Sequence, residues 1–411
     1  RQGKKVNYTY DGLNRLTKTS LTTSTDTPID TTYTYFASKR GSDYTTTKLK
    51  SETINGEKYE YKYDAHSNIT DVTKDGVLQY HYDYDMMNQL VSVDDKLNGK
   101  VYNYTYDAGG NLISETVTDS NGTTSNAYEY NNSNWGDVLT SYNGQSITYD
   151  EIGNPLTYRD GMSMTWKNGR QLATFTNGDT SISYGYDSDS VRTTKTVNGV
   201  KYTYAYLNGQ LMYETRGDAK FYYSYDANGI LYNVRYTLTD GGTEYSYYYT
   251  HNSRGDIVGI YNGAGELKAH YEYDAWGNVI SITDNNGNVI TNPNHIGNLN
   301  PFRYRGYYQD TETGLYYLMS RYYDAVTHRF INADGYFQSG GSILDANTFA
   351  YCGNNPVNLS DPNGEHSCGA PTCPKCDSTR RAFLQTEKGI KLYNKCHGTN
   401  YYGCLLYTSP S

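Results

Sequence analysis

The chain has 411 residues, among them 50 tyrosines and 40 glycines but only 8 phenylalanines, a length that suits a repeat array with a small tail better than one ordinary core. Charged residues make up 19%, too few for a solvated disordered chain, and no run of about 18 apolar residues exists to span a bilayer. The net charge of -9 excludes a general nucleic-acid or membrane-surface binder, which would carry a basic stripe.

From the first residues one phrase recurs. "YTYDGLNRLTKTS" stands at 8–20, "YKYDAHSNITDV" at 61–72, "YDYDMMNQLVSV" at 82–93, "YTYDAGGNLISE" at 104–115 and "YEYDAWGNVISITD" at 271–284. The aspartates are Asp11, Asp64, Asp85, Asp107, Asp150, Asp187, Asp226 and Asp274, and worn copies such as "YEYNNSNWGDVL" fill the wider gaps. A fixed period of this size is the signature of a repeat architecture. Within each copy, alternation puts residues such as Tyr102, Tyr104 and Tyr106 on one face of a strand. Between strands lie Asn55-Gly56, Asp75-Gly76, Asn98-Gly99, Asn121-Gly122, Asn143-Gly144, Asn198-Gly199, Asn208-Gly209 and Asn262-Gly263, pairs that favour type I′ hairpins. Each repeat therefore reads as one hairpin, and helix signals are almost absent before residue 365. Tyrosine has an apolar body and a polar tip, so its rows suit packing and cavity lining, with sugar stacking as the other reading. Each aspartate precedes a turn, and hydrogen bonding from its carboxylate to backbone N–H groups accounts for it without chemistry. Sheet twist would coil hairpins in series into a spiral or wide barrel.

Residues 300–364 break the pattern. "NPFRYRGYYQDTETGLYYLMSRYYDAVTHRFINADGYF" is followed by "NTFAYCGNNPVNLSDPNG". With the Tyr-Asp repeats, the ordered phrases "GLYYLMSRYYD", "RFINADG", "AYCGNNPVN" and "DPNG" resemble the RHS (YD-repeat) family and its repeat-associated core domain. That family includes wall-associated WapA-type proteins, the C components of Tc toxins, and teneurins. The resemblance covers about residues 1–364. It implies an all-β fold: spiralling antiparallel hairpins that form a hollow shell over 1–298, and a core domain over 299–364 that plugs one end. A variable toxin would begin at 365, as a small α/irregular stub, and be held inside as cargo.

In several members the core is an aspartic-type autoprotease that cuts just after Asp-Pro-x-Gly. Asp334 and Asp361 occupy the family's acidic positions, and two carboxylates sharing a proton divide acid and base work. Arg329 could orient a carboxylate through its planar fork, while Asp324 and Asp345 are alternative acids. The structural alternative stands beside this: Asp361-Pro362-Asn363-Gly364 is also a plain turn, and Asp334 beside Gly335 a turn cap. Cleaving members carry leucine after the motif, where this chain has Glu365, a residue expected to fit an apolar cleavage pocket poorly.

The tail, 365–411, carries five of the six cysteines. Cys373-x-x-Cys376, with Cys396, His397, Cys368 and Cys404, reads as half a zinc site, as disulfides, or as unpaired thiols. One short helix is expected near 379–394. The final "CLLYTSPS" matches neither repeat nor helix cap and reads as artefactual, and the start without methionine reads as a fragment. No cofactor is called for, and the toxin's activity is not legible. The expected partners are the chain's own C-terminal toxin, an immunity protein, and cell-surface glycans. The setting expected is a secreted or cell-surface bacterial protein that serves competition between bacteria. The rival reading is a non-catalytic adhesin or glycan-binding wall protein.

Overall fold

The computed structural model describes residues 5–365 apart from 24, 26–27, 38–44 and 336–342 and the side chains of Thr45, Ile343 and Asp345. The zinc, disulfide and helix expectations for the tail lie outside the described residues.

Within each sheet every strand pairs antiparallel with its neighbours in the chain. Thirteen strands from Lys5–Tyr10 to Gln145–Ser146 form one sheet, and fourteen from Thr148–Tyr149 to Val279–Thr283 form a second. Among the described residues the helical content is slight: one α-helix, Ile296–Leu299, and a few 3-10 turns. Five of the eight expected type I′ pairs have positive φ at both residues: Asn55-Gly56, Asp75-Gly76, Asn143-Gly144, Asn198-Gly199 and Asn208-Gly209. At Asn98-Gly99 and Asn121-Gly122 only the glycine does. Asn262-Gly263 is no hairpin pair at all. It opens a wider turn in which the Asn262 Oδ1 accepts the N–H groups of Ala264 and Glu266, and Gly265 takes the positive φ.

That wider turn also closes each Tyr-Asp copy. At Asp107, Oδ1 accepts the N–H groups of Gly109 (2.8 Å) and Asn111 (2.9 Å), and Oδ2 accepts the Asn111 side-chain amide at 2.9 Å. The Asp107 N–H donates to the Asn111 carbonyl, and Gly110 takes φ 77°. Asp64 with Asn68, Asp85 with Gln89, Asp150 with Asn154, Asp274 with Asn278 and Asp284 with Asn288 repeat it. The residue four past the aspartate thus caps the carboxylate twice, through its backbone and through its amide.

The two tyrosines before each aspartate divide their work. The earlier one, as in Tyr61, Tyr82, Tyr104, Tyr223 and Tyr271, is buried in the core. The later one is half-buried, and its hydroxyl donates to a carbonyl on the preceding strand: Tyr63 to Leu49, Tyr84 to Ile69, Tyr106 to Leu90, Tyr130 to Leu112, Tyr225 to Leu211, Tyr273 to Ile257. The polar tip staples repeat to repeat, a use that an aliphatic residue cannot supply.

The first sheet meets the second through Glu52 with Ser253, Asn98 with Glu272, Tyr8 with Asp226 and Thr25 with Gly263. Between them the described residues line a cavity of about 330 Å³ with Tyr61, Tyr82, Arg254 and Tyr271 in its wall. The described residues of 300–364 pack against both sheets around a four-stranded sheet of Tyr308–Gln309, Tyr316–Leu318, Arg321–Asp324 and Arg329–Phe330. The repeat turns receive them: Asn355 donates to Asn68, Asn354 to Gln89 and Asn347 to Asn111, while Asn278 donates to the Ala325 carbonyl. Buried ion pairs add to this. Arg159 grips Asp324 with two bonds (2.7 and 2.9 Å), and Arg192 and Lys195 share Asp310.

Asn111→Ala removes both the cap on Asp107 and the acceptor for Asn347. It is expected to cost roughly 1–3 kcal/mol, seen as a lower Tm. Glu52 is 1% exposed and accepts hydrogen bonds from Tyr61 and Ser253. Burial pushes its carboxyl up to about 7, against the opposing pull of Tyr61, Ser253 and Arg254. An unfolded glutamate titrates near ~4.3. The stability held by the protonated form is therefore complete below that value and lost as pH rises through about 7. Glu52→Gln, which cannot ionise, should gain on the wild type by roughly 3 kcal/mol across that window, read as the difference in Tm at each end.

Candidate active site

The strand Arg321–Asp324 carries the centre of the site. The Arg321 side chain is 5% exposed, with its guanidinium centred 3.6 Å from the Phe330 ring centroid. Its Nη2 lies 3.3 Å from Asp334 Oδ2 and 3.2 Å from Asp361 Oδ2, so one nitrogen joins the two expected acids. Its Nε donates to the Gly364 carbonyl at 2.5 Å, and its Nη1 to the Thr348 carbonyl at 3.1 Å. Burial draws the guanidinium's pKa down, and Asp334 and Asp361 oppose it.

Asp361 faces the other side of the same peptide bond. Its Oδ1 accepts the Glu365 N–H at 3.1 Å. The Gly364–Glu365 bond is therefore bracketed, with an arginine on its oxygen and a carboxylate on its nitrogen. Gly364 sits at φ 72°, and a Cβ there would lie 2.8 Å from the Leu318 carbonyl and 3.1 Å from the Arg321 nitrogen. Only glycine lets the chain pass this close to the arginine's strand. Asp334 is held from behind: its N–H donates to the Thr348 carbonyl, and Arg170 from the second sheet donates to the Ala333 carbonyl at 2.7 Å.

Asp334 and Asp361 thus come together as the sequence led us to expect, 27 residues apart in the chain. Arg329 does not join them. It donates to the Tyr130 hydroxyl (2.6 Å) and the Asp137 carbonyl (2.5 Å) and lies over the Phe349 ring. The reason is strand alternation: Phe330 faces Arg321, so its neighbour Arg329 turns to the opposite face. Arg321 takes the orienting place, and nothing in "SRYYD" separates it from "HRF" until the strand register is known. Asp324 is committed to Arg159. Burial alone would raise its carboxyl, but the arginine holds it below the usual range. Asp345 falls in the 3-10 turn Ile343–Ala346, its side chain outside the described residues. The Glu365 carboxylate has a polar partner, accepting from Asn363 Nδ2 at 2.7 Å.

Arg321→Ala would take the cation from two buried carboxylates and uncover Phe330, with an expected cost of about 3–5 kcal/mol in denaturant unfolding.

A family model described as the teneurin YD-shell matches residues 45–357. The tRNA3(Ser)-specific nuclease WapA of Bacillus spizizenii is 38% identical over 257 residues, 61% of this chain and 10% of that protein. The tRNA nuclease WapA of Bacillus subtilis is 36% identical over 262 residues, again 61% and 10%. The chain thus spans about a tenth of the length of these relatives. Among solved structures, TcdB2-TccC3-TEV superposes with a TM-score of 0.66 at 18% identity, covering 87% of this chain and 19% of that one. The Photorhabdus luminescens Tc holotoxin pore gives 0.63 at 17% identity, covering 90% and 21%.

Proposed function

The chain belongs to the RHS-type YD-shell family, and from that premise we propose that it is the shell and core section of a bacterial polymorphic toxin, which encloses its own C-terminal toxic domain and frees it by self-cleavage at Gly364–Glu365. The observation that carries the cleavage reading is the bracketed peptide bond, with both acids on one arginine. The likeness to WapA nucleases supports the carrier reading. In it, residues 1–298 are the shell, 299–364 the core domain and 365–411 the start of the toxin. A secreted or cell-surface protein that serves competition between bacteria is the setting that this implies.

The steps follow from the geometry. Water adds its oxygen to the Gly364 carbonyl carbon and gives a proton to Asp334. Arg321 Nε, already on the carbonyl oxygen, meets the negative charge that develops there. The two acids hold one proton between them at the start, on Asp361; Asp361 gives it to the Glu365 nitrogen, the C–N bond breaks to leave a carboxyl group on Gly364 and an amine on Glu365, and the pair ends with the one proton that Asp334 took from water. One turnover per chain suffices, and tethering supplies the orientation that a separate substrate would have to gain by binding.

The test is intact mass of the purified chain beside Asp334→Asn, Asp361→Asn and Arg321→Lys, with size exclusion of the products. We expect a split after Gly364 in the wild type, a single uncut mass in each variant, and co-elution of the two pieces. An uncut wild type would leave Asp361-Pro362-Asn363-Gly364 a structural turn, and separate elution would sink the enclosure of the cargo.

A further inference from the structure

The cleavage turn is built like a repeat turn. Asp107-x-x-Gly110-Asn111, Asp150-x-x-Gly153-Asn154 and Asp274-x-x-Gly277-Asn278 share their pattern with Asp361-x-x-Gly364-Glu365, down to the positive φ of the glycine. In all four, the aspartate Oδ1 accepts the N–H four residues on. The difference lies at Oδ2. In the repeats the side-chain amide at the fourth position donates to it, at 2.7–2.9 Å. At Asp361 that position is Glu365, which has no proton to donate, and Oδ2 is in contact with Arg321 instead. The backbone differs too, since the Asp361 N–H donates to the Tyr307 hydroxyl (2.8 Å) rather than to the carbonyl four residues on.

A carboxylate at the fourth position creates a difficulty of its own. Among the described residues, wide turns with an acid at one end carry an amide, a cation or an aliphatic residue at the other: Asn252 with Asp256, Asn262 with Glu266, Asp11 with Arg15, Asp226 with Ile230. Asp361 with Glu365 puts an acid at both ends. Asn363 answers this by drawing the Glu365 carboxylate onto its own amide.

We propose that the residue on the leaving side of the cleaved bond is a selector: a side-chain amide there would cap Asp361 as in the repeats and make the turn inert, whereas Glu365, held aside by Asn363, leaves Asp361 to Arg321 and keeps the bond cleavable. Asn363 is then a specificity-determining residue for an acidic leaving side. It rests on the self-cleavage reading above. By the same rule the amide-bearing repeat turns are inert, since in them the carboxylate is spent on its cap.

The experiment follows the cleaved fraction against time by intact mass, with Tm, for the full chain and for Glu365→Asn, Glu365→Leu, Asn363→Ala and Asn363→Ala with Glu365→Leu. Losing one charge-assisted contact predicts that Glu365→Asn slows cleavage about ten- to a hundredfold. Glu365→Leu, with no amide, stays near the wild-type rate. Asn363→Ala slows cleavage only while Glu365 is present, so the double variant recovers. Glu365→Asn cutting like the wild type, or Glu365→Leu failing as badly as Glu365→Asn, overturns the proposal. If the wild type stays uncut, self-cleavage itself falls. A crystal structure of the Glu365→Asn chain then decides the remainder: the substituted amide on Asp361 Oδ2 upholds the capping rule, and its absence refutes it.

Discussion

The fold depends on how an aspartate is satisfied at the end of a strand. A carboxylate accepts hydrogen bonds at both oxygens and donates none. At Asp107 or Asp274, one oxygen takes two backbone N–H groups and the other takes the amide of the fourth residue on. The turn is closed without help from its surroundings, so it can be copied along the chain. Each copy sets the register of two strands and leaves a tyrosine to staple its strand to the one before it.

Those turns also present a row of amides, and the core region is written to meet them. Asn347, Asn354 and Asn355 match Asn111, Gln89 and Asn68 one for one. The ion pairs of Asp324 with Arg159 and of Asp310 with Arg192 do the same in the second sheet, where burial makes an unmatched charge costly. Docking therefore succeeds in one position only. The candidate site inherits its accuracy from this: Arg170, from the second sheet, braces the backbone beside Asp334, while Tyr307 braces Asp361 from within the core.

Seen this way, the candidate active site is a repeat turn with one side chain changed. The glycine remains, and so does the Oδ1 that accepts the N–H four residues on. What is lost is the amide on Oδ2, and Arg321 enters in its place, bringing Asp334 with it.

Much of this was legible in the sequence. The repeat, the antiparallel hairpins, the backbone-capping role of the Tyr-Asp aspartates and the pairing of Asp334 with Asp361 follow from local chemistry or from family likeness. Those features depend on residues within a few positions of each other, or on motifs whose order is unmistakable. The role of Arg321 was not legible, nor the diversion of Arg329 to Tyr130, nor the commitment of Asp324 to Arg159. Each depends on which face of a strand a side chain takes and on partners up to 199 residues away in the chain. Even Glu365, a misfit when read against a leucine, is accommodated once Asn363 is seen beside it. The sequence by itself determined the turns, because an aspartate's partners lie four residues on. Only the tertiary structure decided which carboxylate meets an arginine and which arginine that is, because strand register and burial, not spacing, bring those groups together.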